Sequence, residues 1–429
     1  MEERYHTPAS PGESGKTVKE QLKKGLGPAL GVLLRHSWAD ARELVLEALQ
    51  QGAVCLVEAL LRASAEEVAG ARTQGRQRGD VLWHGEQAGR VVLAECQLRV
   101  RRPRLRHREG RELKIPAYEQ LQRREQAQRR MLELLMRGVS TRNYGAILPA
   151  MADAAGVSPS SVSREAAQAA EARLQELMGR GLEGLDLCVI YIDGIVFGEH
   201  HLIGAVGVDA AGRKHVLGVQ DGATENAAAV KDLLENLISR GLNPAPPRLF
   251  VIDGAKALRS AVSAVFGPHH PVQRCRVHKI RNVVERLPKP LRSDLAAALR
   301  AAYRLPTVEG ERRLRHLAAS FASSYPAAAH SLLDGLEETF TINRLNLPLI
   351  LHRSLGSTNV IESAHAGVRQ RIRRVTHWRS GAMAARWAAA AFLSTEASFK
   401  RLMGYRDLPI LIAVLQRLDP AAAAAQGVA

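Results

Sequence analysis

Aromatic residues are scarce in this chain. Phe, Trp and Tyr make up 4% of its 429 residues, so a core has to come from Leu, Val, Ile and Ala, for which a 46% hydrophobic fraction is ample. Long apolar runs are missing too. No stretch approaches the roughly 18 consecutive apolar residues of a membrane helix. The opening "MEERYHTPASPGESGK" lacks the apolar centre of a secretory leader. Cysteine is sparse and scattered, at Cys55, Cys96, Cys188 and Cys275. That spacing excludes a disulfide framework and fits a reducing cytoplasm. Acidic residues are in deficit: 43 Asp and Glu face 60 Lys and Arg, a net charge of +17. A chain that basic binds polyanions, with nucleic acid the leading class, although a GC-rich genome also yields Arg- and Ala-rich protein.

The length predicts two to four domains. Residues 1–28, polar and carrying Pro8, Pro11 and Gly12, read as a flexible arm. Residues 29–80 are helical, with Leu44, Leu46, Leu49, Leu56, Leu60 and Leu61 at helical spacing and Gly52 expected to interrupt them. In 81–115 the texture changes: Ala94, Cys96, Leu98 and Val100 alternate with polar residues, which predicts a strand. Pro103 and "REGRE" predict a hairpin. Its Arg-rich face fits either DNA or a charged, solvated edge.

Residues 116–183 return to helix. Gly156, Val157 and Ser158 form a turn in which Ser158 caps a helix opened by Pro159. This predicts a helix-turn-helix whose second helix presents Ser160, Ser161, Ser163 and Arg164 to a DNA groove. From about 184 three apolar strands follow one another, then helix, strand and helix, up to about 283. That order predicts an α/β, RNase H-like core, a mixed five-stranded sheet with helices on its faces. An all-helical insertion is expected over 284–355, the C-terminal helices of the core over 356–418, and a disordered tail over 419–429.

Two strands of this core end alike, in "YIDGI" at Asp193 and "VIDGA" at Asp253. A carboxylate at the end of a buried strand is costly unless paired or bound to metal. In this topology the two strands are neighbours, so the acids would face each other and need a cation between them. Hard oxygen donors suit Mg²⁺ or Mn²⁺, and a pair of such ions serves in-line phosphoryl transfer. A third acid is expected, and Glu362 in "GSTNVIES" stands in the first turns of a helix that Ser357, Thr358 and Asn359 are suited to cap. Arg369, Arg371, Arg373 and Arg374 follow on that helix, and their closeness to Glu362 favours phosphate contact over a solvated face. Trp378 in "RRVTHWRSG" either packs or stacks on an extruded base.

The ordered set "YIDGI", "VIDGAKAL", "QRCRVHKIRNVV" and "STNVIES" resembles the bacterial Mutator-type insertion-sequence transposases. The likeness covers about 100–415. It implies an Asp-Asp-Glu catalytic triad at Asp193, Asp253 and Glu362, with the helical insertion filling the interval of about 110 residues before the Glu. It also implies recognition of terminal inverted repeats in double-stranded DNA, strand cleavage and strand transfer, and a homodimer or higher oligomer. An asparagine usual soon after "IES" is absent from "AHAGVRQ", which leaves the role of His365 open. Another RNase H-like nuclease and a non-catalytic regulator derived from a transposase are the competing readings.

The motif also places Cys275 and His278 three residues apart, half of a zinc site. Structural zinc needs four ligands, and only His269 and His270 lie near, so the pair is assigned to the edge of the catalytic pocket. There Arg274, Arg276, Lys279 and Arg281 are expected to meet phosphates. The expected setting is the cytoplasm, at the nucleoid.

Overall fold

The computed structural model describes residues 38–72, 79–93, 96–122, 125–139 and 159–419. The chain divides into two compact units, residues 1–134 with 139–166, and residues 135–138 with 167–429.

The first unit holds helix α1 (Trp38–Ala69) and a three-stranded antiparallel sheet of β1 (Val81–Leu93), β2 (Cys96–His107) and β3 (Glu112–Leu113). Helices α2 (Pro116–Leu121) and α3 (Glu125–Met136) follow. Alternation explains β2: Leu98 and Val100 are buried against Val57, Leu61 and Val91, while Arg99 and Arg101 face solvent. One expectation changes. Helix α1 runs through Gly52 unbroken, because a buried face on both sides of the glycine outweighs its cost of roughly 1 kcal/mol. The expected hairpin at "REGRE" forms, joining β2 to the two-residue β3, and β2 also pairs along most of its length with β1, which precedes it. Pro103 is accommodated beside the register shift between Trp83 and Glu86.

Helix α4 (Pro159–Gly179) is the expected second helix of the helix-turn-helix. The first helix and turn, residues 140–158, lie outside the described residues, as do the side chains of Ser160 and Ser161. Ser163 and Arg164 are exposed on α4.

The second unit contains a mixed five-stranded sheet in the order β6-β5-β4-β7-β8. Strands β4 (Leu187–Phe197), β5 (His200–Asp209) and β6 (Lys214–Asp221) meander antiparallel. Helix α5 (Ala227–Ser239) then carries the chain over to β7 (Leu249–Ile252), parallel to β4. Helix α6 (Lys256–Phe266) leads on to β8 (Val272–Arg274), parallel to β7.

Period-two alternation sorts the side chains of β4. Ile190 and Ile192 join Leu233, Leu237, Leu258 and Phe266 in the core under α5 and α6. Tyr191 and Asp193 must therefore face the other way. There Tyr191 Oη donates to the Ser354 carbonyl at 3.0 Å. Strand β7 repeats the pattern, Phe250 and Ile252 facing α5 and α6, so Asp253 follows on the face of Asp193.

After β8 come α7 (Arg276–Val284), α8 (Lys289–Ala302), α9 (Thr307–Phe321), α10 (Pro326–Leu333), α11 (Thr341–Arg344) and α12 (Leu349–Leu355). Helices α7 to α10 share a hydrophobic core of their own, with Leu299, Leu314, Leu332 and Phe340 at its centre. Helices α13 (Asn359–Ile372) and α14 (Gly381–Glu396) then cover the sheet face that bears Asp193, and α15 (Leu408–Gln416) ends the described chain. Gly204 on β5 makes this close approach possible, since a Cβ there would meet His365 Nε2 at 3.1 Å and the Phe392 ring at 3.2 Å.

Candidate active site

The register of β4 and β7 pairs Ile192 with Ile252, so the next residue on each parallel strand is an aspartate. Asp193 is buried, 7% exposed, and accepts a hydrogen bond from the Gly194 N–H at 3.0 Å. Asp253 accepts from the Ala255 N–H at 2.8 Å, which turns the chain sharply into α6. Burial pushes the Asp193 carboxyl up to about 7, and the charge of Asp253 adds to it. His278 and the Gly194 N–H act against that rise, and Glu362 reinforces it. The three expected acids thus belong to one electrostatic neighbourhood.

Glu362 sits in the first turn of α13 with its Oε1 3.2 Å from His278 Nε2 and 3.3 Å from Thr358 Oγ1. The other ring nitrogen, His278 Nδ1, lies 3.3 Å from the same Thr358 hydroxyl. Thr358 occupies the cap position of α13, but its side chain makes no capping bond. It is turned instead to Cys275, His278 and Glu362. Among the described residues, no three His, Cys, Asp or Glu side chains stand close enough to clasp one metal ion. Asp193 and Asp253 are adjacent; Glu362 is directed at His278.

Cys275 is fully buried and joins the two halves of the site. Its N–H donates to the Ile252 carbonyl at 2.7 Å, one residue before Asp253. Its Sγ accepts from the Thr358 N–H at 3.3 Å, four residues before Glu362, and from the His278 N–H at 3.5 Å. Burial alone would raise the Cys275 thiol, but hydrogen bonds from His278 and Thr358 outweigh it and hold the thiol below its ordinary value. His278 is raised, first by its contact with the Cys275 side chain and further by the charges of Cys275 and Asp193.

The basic residues of this motif divide. Lys279 is 1% exposed and donates to the Ser331 carbonyl at 2.6 Å and to the Asp334 carbonyl. Burial pushes it down to about 8, and Arg274 adds to the effect. Arg274 bonds the Asp334 carbonyl and carboxylate at 2.7 and 3.0 Å. Arg276 reaches the Thr339 carbonyl at 2.8 Å and the Asn343 side chain. The expectation that all four meet phosphates is corrected for Lys279, which is enclosed on carbonyls; Arg274 and Arg276 also spend donors on the segments that follow. Arg281 alone of the four is exposed, and with Arg274 it lines a cavity of about 340 Å³ together with Asp253, His278, Asn282 and Glu225. Glu225 is an acid beside the site that the pattern of strand-end aspartates did not single out, because it lies in the loop after β6.

Arg369 on α13 and Arg373 and Arg374 just past its end are exposed, whereas Arg371 bonds Ser394 Oγ at 3.0 Å. His365 is a packing residue, 2% exposed and edge-on to Phe392. Trp378 is half-buried with its ring centroid 5.1 Å from that of Phe197, so at least one face is already occupied.

Comparison with known proteins identifies the family of the chain. Residues 35–401 match the family described as "Transposase, Mutator family". The chain is 30% identical over 246 residues to the transposase for insertion sequence element IS6120 of Mycolicibacterium smegmatis, covering 56% of this chain and 74% of that protein. It is 29% identical over 327 residues to the transposase for insertion sequence element ISRM5 of Rhizobium meliloti, covering 74% of this chain and 79% of that one. With the match spanning most of its length, the chain belongs to the Mutator family of transposases.

Proposed function

We propose that this transposase cuts DNA at the ends of an insertion sequence and joins the freed ends to a target, by phosphoryl transfer at Asp193, Asp253 and Glu362. The observation that carries the reading is the pair of aspartates on neighbouring parallel strands, Asp193 buried and its charge made costlier by Asp253. The strand order, three antiparallel strands then two parallel ones reached through α5 and α6, supports an RNase H-like core. The run of helices from α7 to α12, in which α7 to α10 share a hydrophobic centre, supports an insertion before the catalytic Glu.

The donor set fits hard divalent cations. Asp193 and Asp253 would hold Mg²⁺ or Mn²⁺, as a pair of ions, with Glu362 the third acid once its carboxylate exchanges His278 for metal. Such ions supply activation of a water or 3′-hydroxyl nucleophile and stabilisation of the leaving oxygen. The protein's own contribution is to place the carboxylates, exclude bulk water around Asp193, and present Arg281, Arg369, Arg373 and Arg374 to the phosphate backbone. Helix α4 with Ser163 and Arg164, and Ser160 and Ser161 beside them, is assigned to the terminal inverted repeats. Two ends must be held together, which calls for a homodimer or larger assembly, acting at the nucleoid in the cytoplasm. Among the described residues no helix is long and apolar enough to cross a membrane.

The test is a labelled duplex bearing the element's terminal repeat, incubated with the full chain and Mg²⁺ and scored for cleaved and joined strands. Asp193→Ala, Asp253→Ala and Glu362→Ala should each lose about 100-fold or more of the rate. Full activity in any of the three would remove that residue from the site. Wild type that binds ends yet cuts with neither metal would instead favour the regulator reading.

A further inference from the structure

A second cavity lies on the other side of the Cys275–Thr358 connection. Helix α7 separates the two by its period: His278, Arg281 and Asn282 face the acidic cavity, whereas Val277 and Ile280 face the second. The second cavity has a volume of about 670 Å³, within the roughly 300–1,000 Å³ of small-ligand sites. Its walls come from α7, from the C-terminal end of α8 and from α12, and its floor reaches Ser357 and Asn359, three residues before Glu362.

Two of its features point to a ligand. Arg300, Arg304 and Arg353 on its rim are exposed. Among the described residues none of the three forms a side-chain hydrogen bond or ion pair. No acid lines the cavity, so nothing inside the fold neutralises them. Between them the surface is apolar: Leu349 is 68% exposed and Val277 45%. Tyr303, 4% exposed, also lines the cavity, with Thr339 as the polar neighbour of its hydroxyl. Arg276 lies 4.9 Å above the Tyr303 ring and holds it in place.

We infer that this cavity receives a single unpaired nucleotide of the DNA strand held at the carboxylates, its base against Leu349, Val277 and Tyr303 and its phosphate on Arg300, Arg304 and Arg353. The chemistry excludes plainer occupants. A purely apolar peptide would leave three cations desolvated without partners. A duplex is too wide for a cavity of this size, whereas one base and its phosphate match an apolar floor with a cationic rim. The inference rests on the transposase reading for the source of the strand. It gives the helices between Asp253 and Glu362 a defined role, which is to hold a base out of the helix beside the bond being cut.

The test uses the full chain in EDTA, so that no step depends on cleavage. Fluorescence anisotropy compares a short labelled oligothymidine with a strand of the same length made of abasic sites, which keeps the phosphates and removes the bases. Wild type should favour the base-bearing strand by about tenfold or more. The variant R300A/R304A/R353A should lose that preference along with affinity. Arg281→Ala, in the acidic cavity, should weaken both probes alike and leave the preference intact. Equal binding of the two probes by wild type, or an unchanged preference in the triple-arginine variant, would overturn the inference. So would a change in mass by light scattering with oligothymidine binding untouched, since the cavity would then be a contact between copies of the chain. A chain that fails to cut terminal repeats could still pass every arm, so the two readings fail separately.

Discussion

Replacing Asp193 by Asn separates what the carboxylate costs the fold from what it does for the chemistry. In the metal-free protein the buried carboxyl titrates at about 7 instead of 3.8. Below 3.8 the group is protonated whether the chain is folded or not, and it contributes nothing. As pH rises from 3.8 to 7 the unfolded chain releases the proton and the folded one keeps it, so stability falls; above 7 the loss is complete. At 1.36 kcal/mol per unit, a displacement of this size costs the folded state about 4 kcal/mol at pH 8, as an upper bound. Asn keeps an oxygen that can accept from the Gly194 N–H and removes the charge. In EDTA at pH 8, Asp193→Asn should therefore melt higher than wild type, by about 2–4 °C for each kcal/mol recovered. The gap should close as the pH is lowered to 4. Other groups that titrate in this range are common to both proteins and cancel in the difference. Adding Mg²⁺ at pH 8 should raise the melting temperature of wild type and leave that of the variant nearly unmoved, and the variant should not cut DNA. An Asp193→Asn protein less stable than wild type at pH 8 in EDTA would refute the reasoning. It would mean that the carboxylate is satisfied without a cation and that the two aspartates do not repel.

Single contacts elsewhere in the chain can be tested the same way. Gly254 has φ +108° and any Cβ there would collide with the Arg274 side chain, so Gly254→Ala should cost more than about 1 kcal/mol in urea unfolding and weaken the Arg274–Asp334 pair; an unchanged midpoint would refute this. Lys279→Met should lower stability but leave the salt dependence of DNA binding as it is, because its ammonium is buried on carbonyls, whereas Arg281→Ala should reduce the slope of log K against log salt by about 1; a reversed pattern would restore Lys279 as a phosphate contact. His365 is buried neutral, its imidazole pushed down to about 3 by burial and by Arg369. As pH falls below 6.5 the unfolded chain takes up a proton that the folded chain refuses, a loss of about 2 kcal/mol by pH 5, so His365→Leu should flatten that part of the stability profile between pH 7 and 5.

What could be read from the sequence was what depends on local pattern. The alternation of "LCVIYIDGIVF" placed Asp193 on one face of a strand, and the matching "VIDGA" put a second acid at an equivalent end. Both follow from backbone periodicity. The partner of β2 was not legible, because sheet pairing is decided by packing between segments, and β1, with Gly85 and Gly89 inside it, shows little alternation. Nor was the fate of Lys279, Arg274 and Arg276. A basic side chain in a basic run reads as a phosphate contact, yet each is drawn inward by acceptors of α10 and α11 and of the turns beside them, some 50 to 70 residues away. Nothing in the local text marks a carbonyl as a future acceptor. Local pattern did not mark Glu225 for a related reason: it lies in a loop, and only the fold brings it to the cavity that Asp253 lines.

The Cys-x-x-His pair shows how a motif can tie a carboxylate site together through hydrogen bonds. Zinc would require two more ligands, and among the described residues none completes such a set: around the Cys275 sulfur are the N–H groups of His278 and Thr358 and the Thr358 hydroxyl, donors rather than ligands. The thiol's small size and weak acceptor strength let it sit fully buried at the crossing of three segments: β7 before Asp253, α7 with His278, and the turn before Glu362. A serine there would form shorter hydrogen bonds and draw the three together; an alanine would leave the Thr358 N–H unpaired at a cost of about 1–3 kcal/mol. Cys275→Ser should thus retain the fold and lose activity through misplacement of Glu362. That loss should exceed its effect on DNA affinity, a split that removal of a phosphate contact would not produce. Equal losses of binding and cleavage would return the motif to the role of a DNA contact.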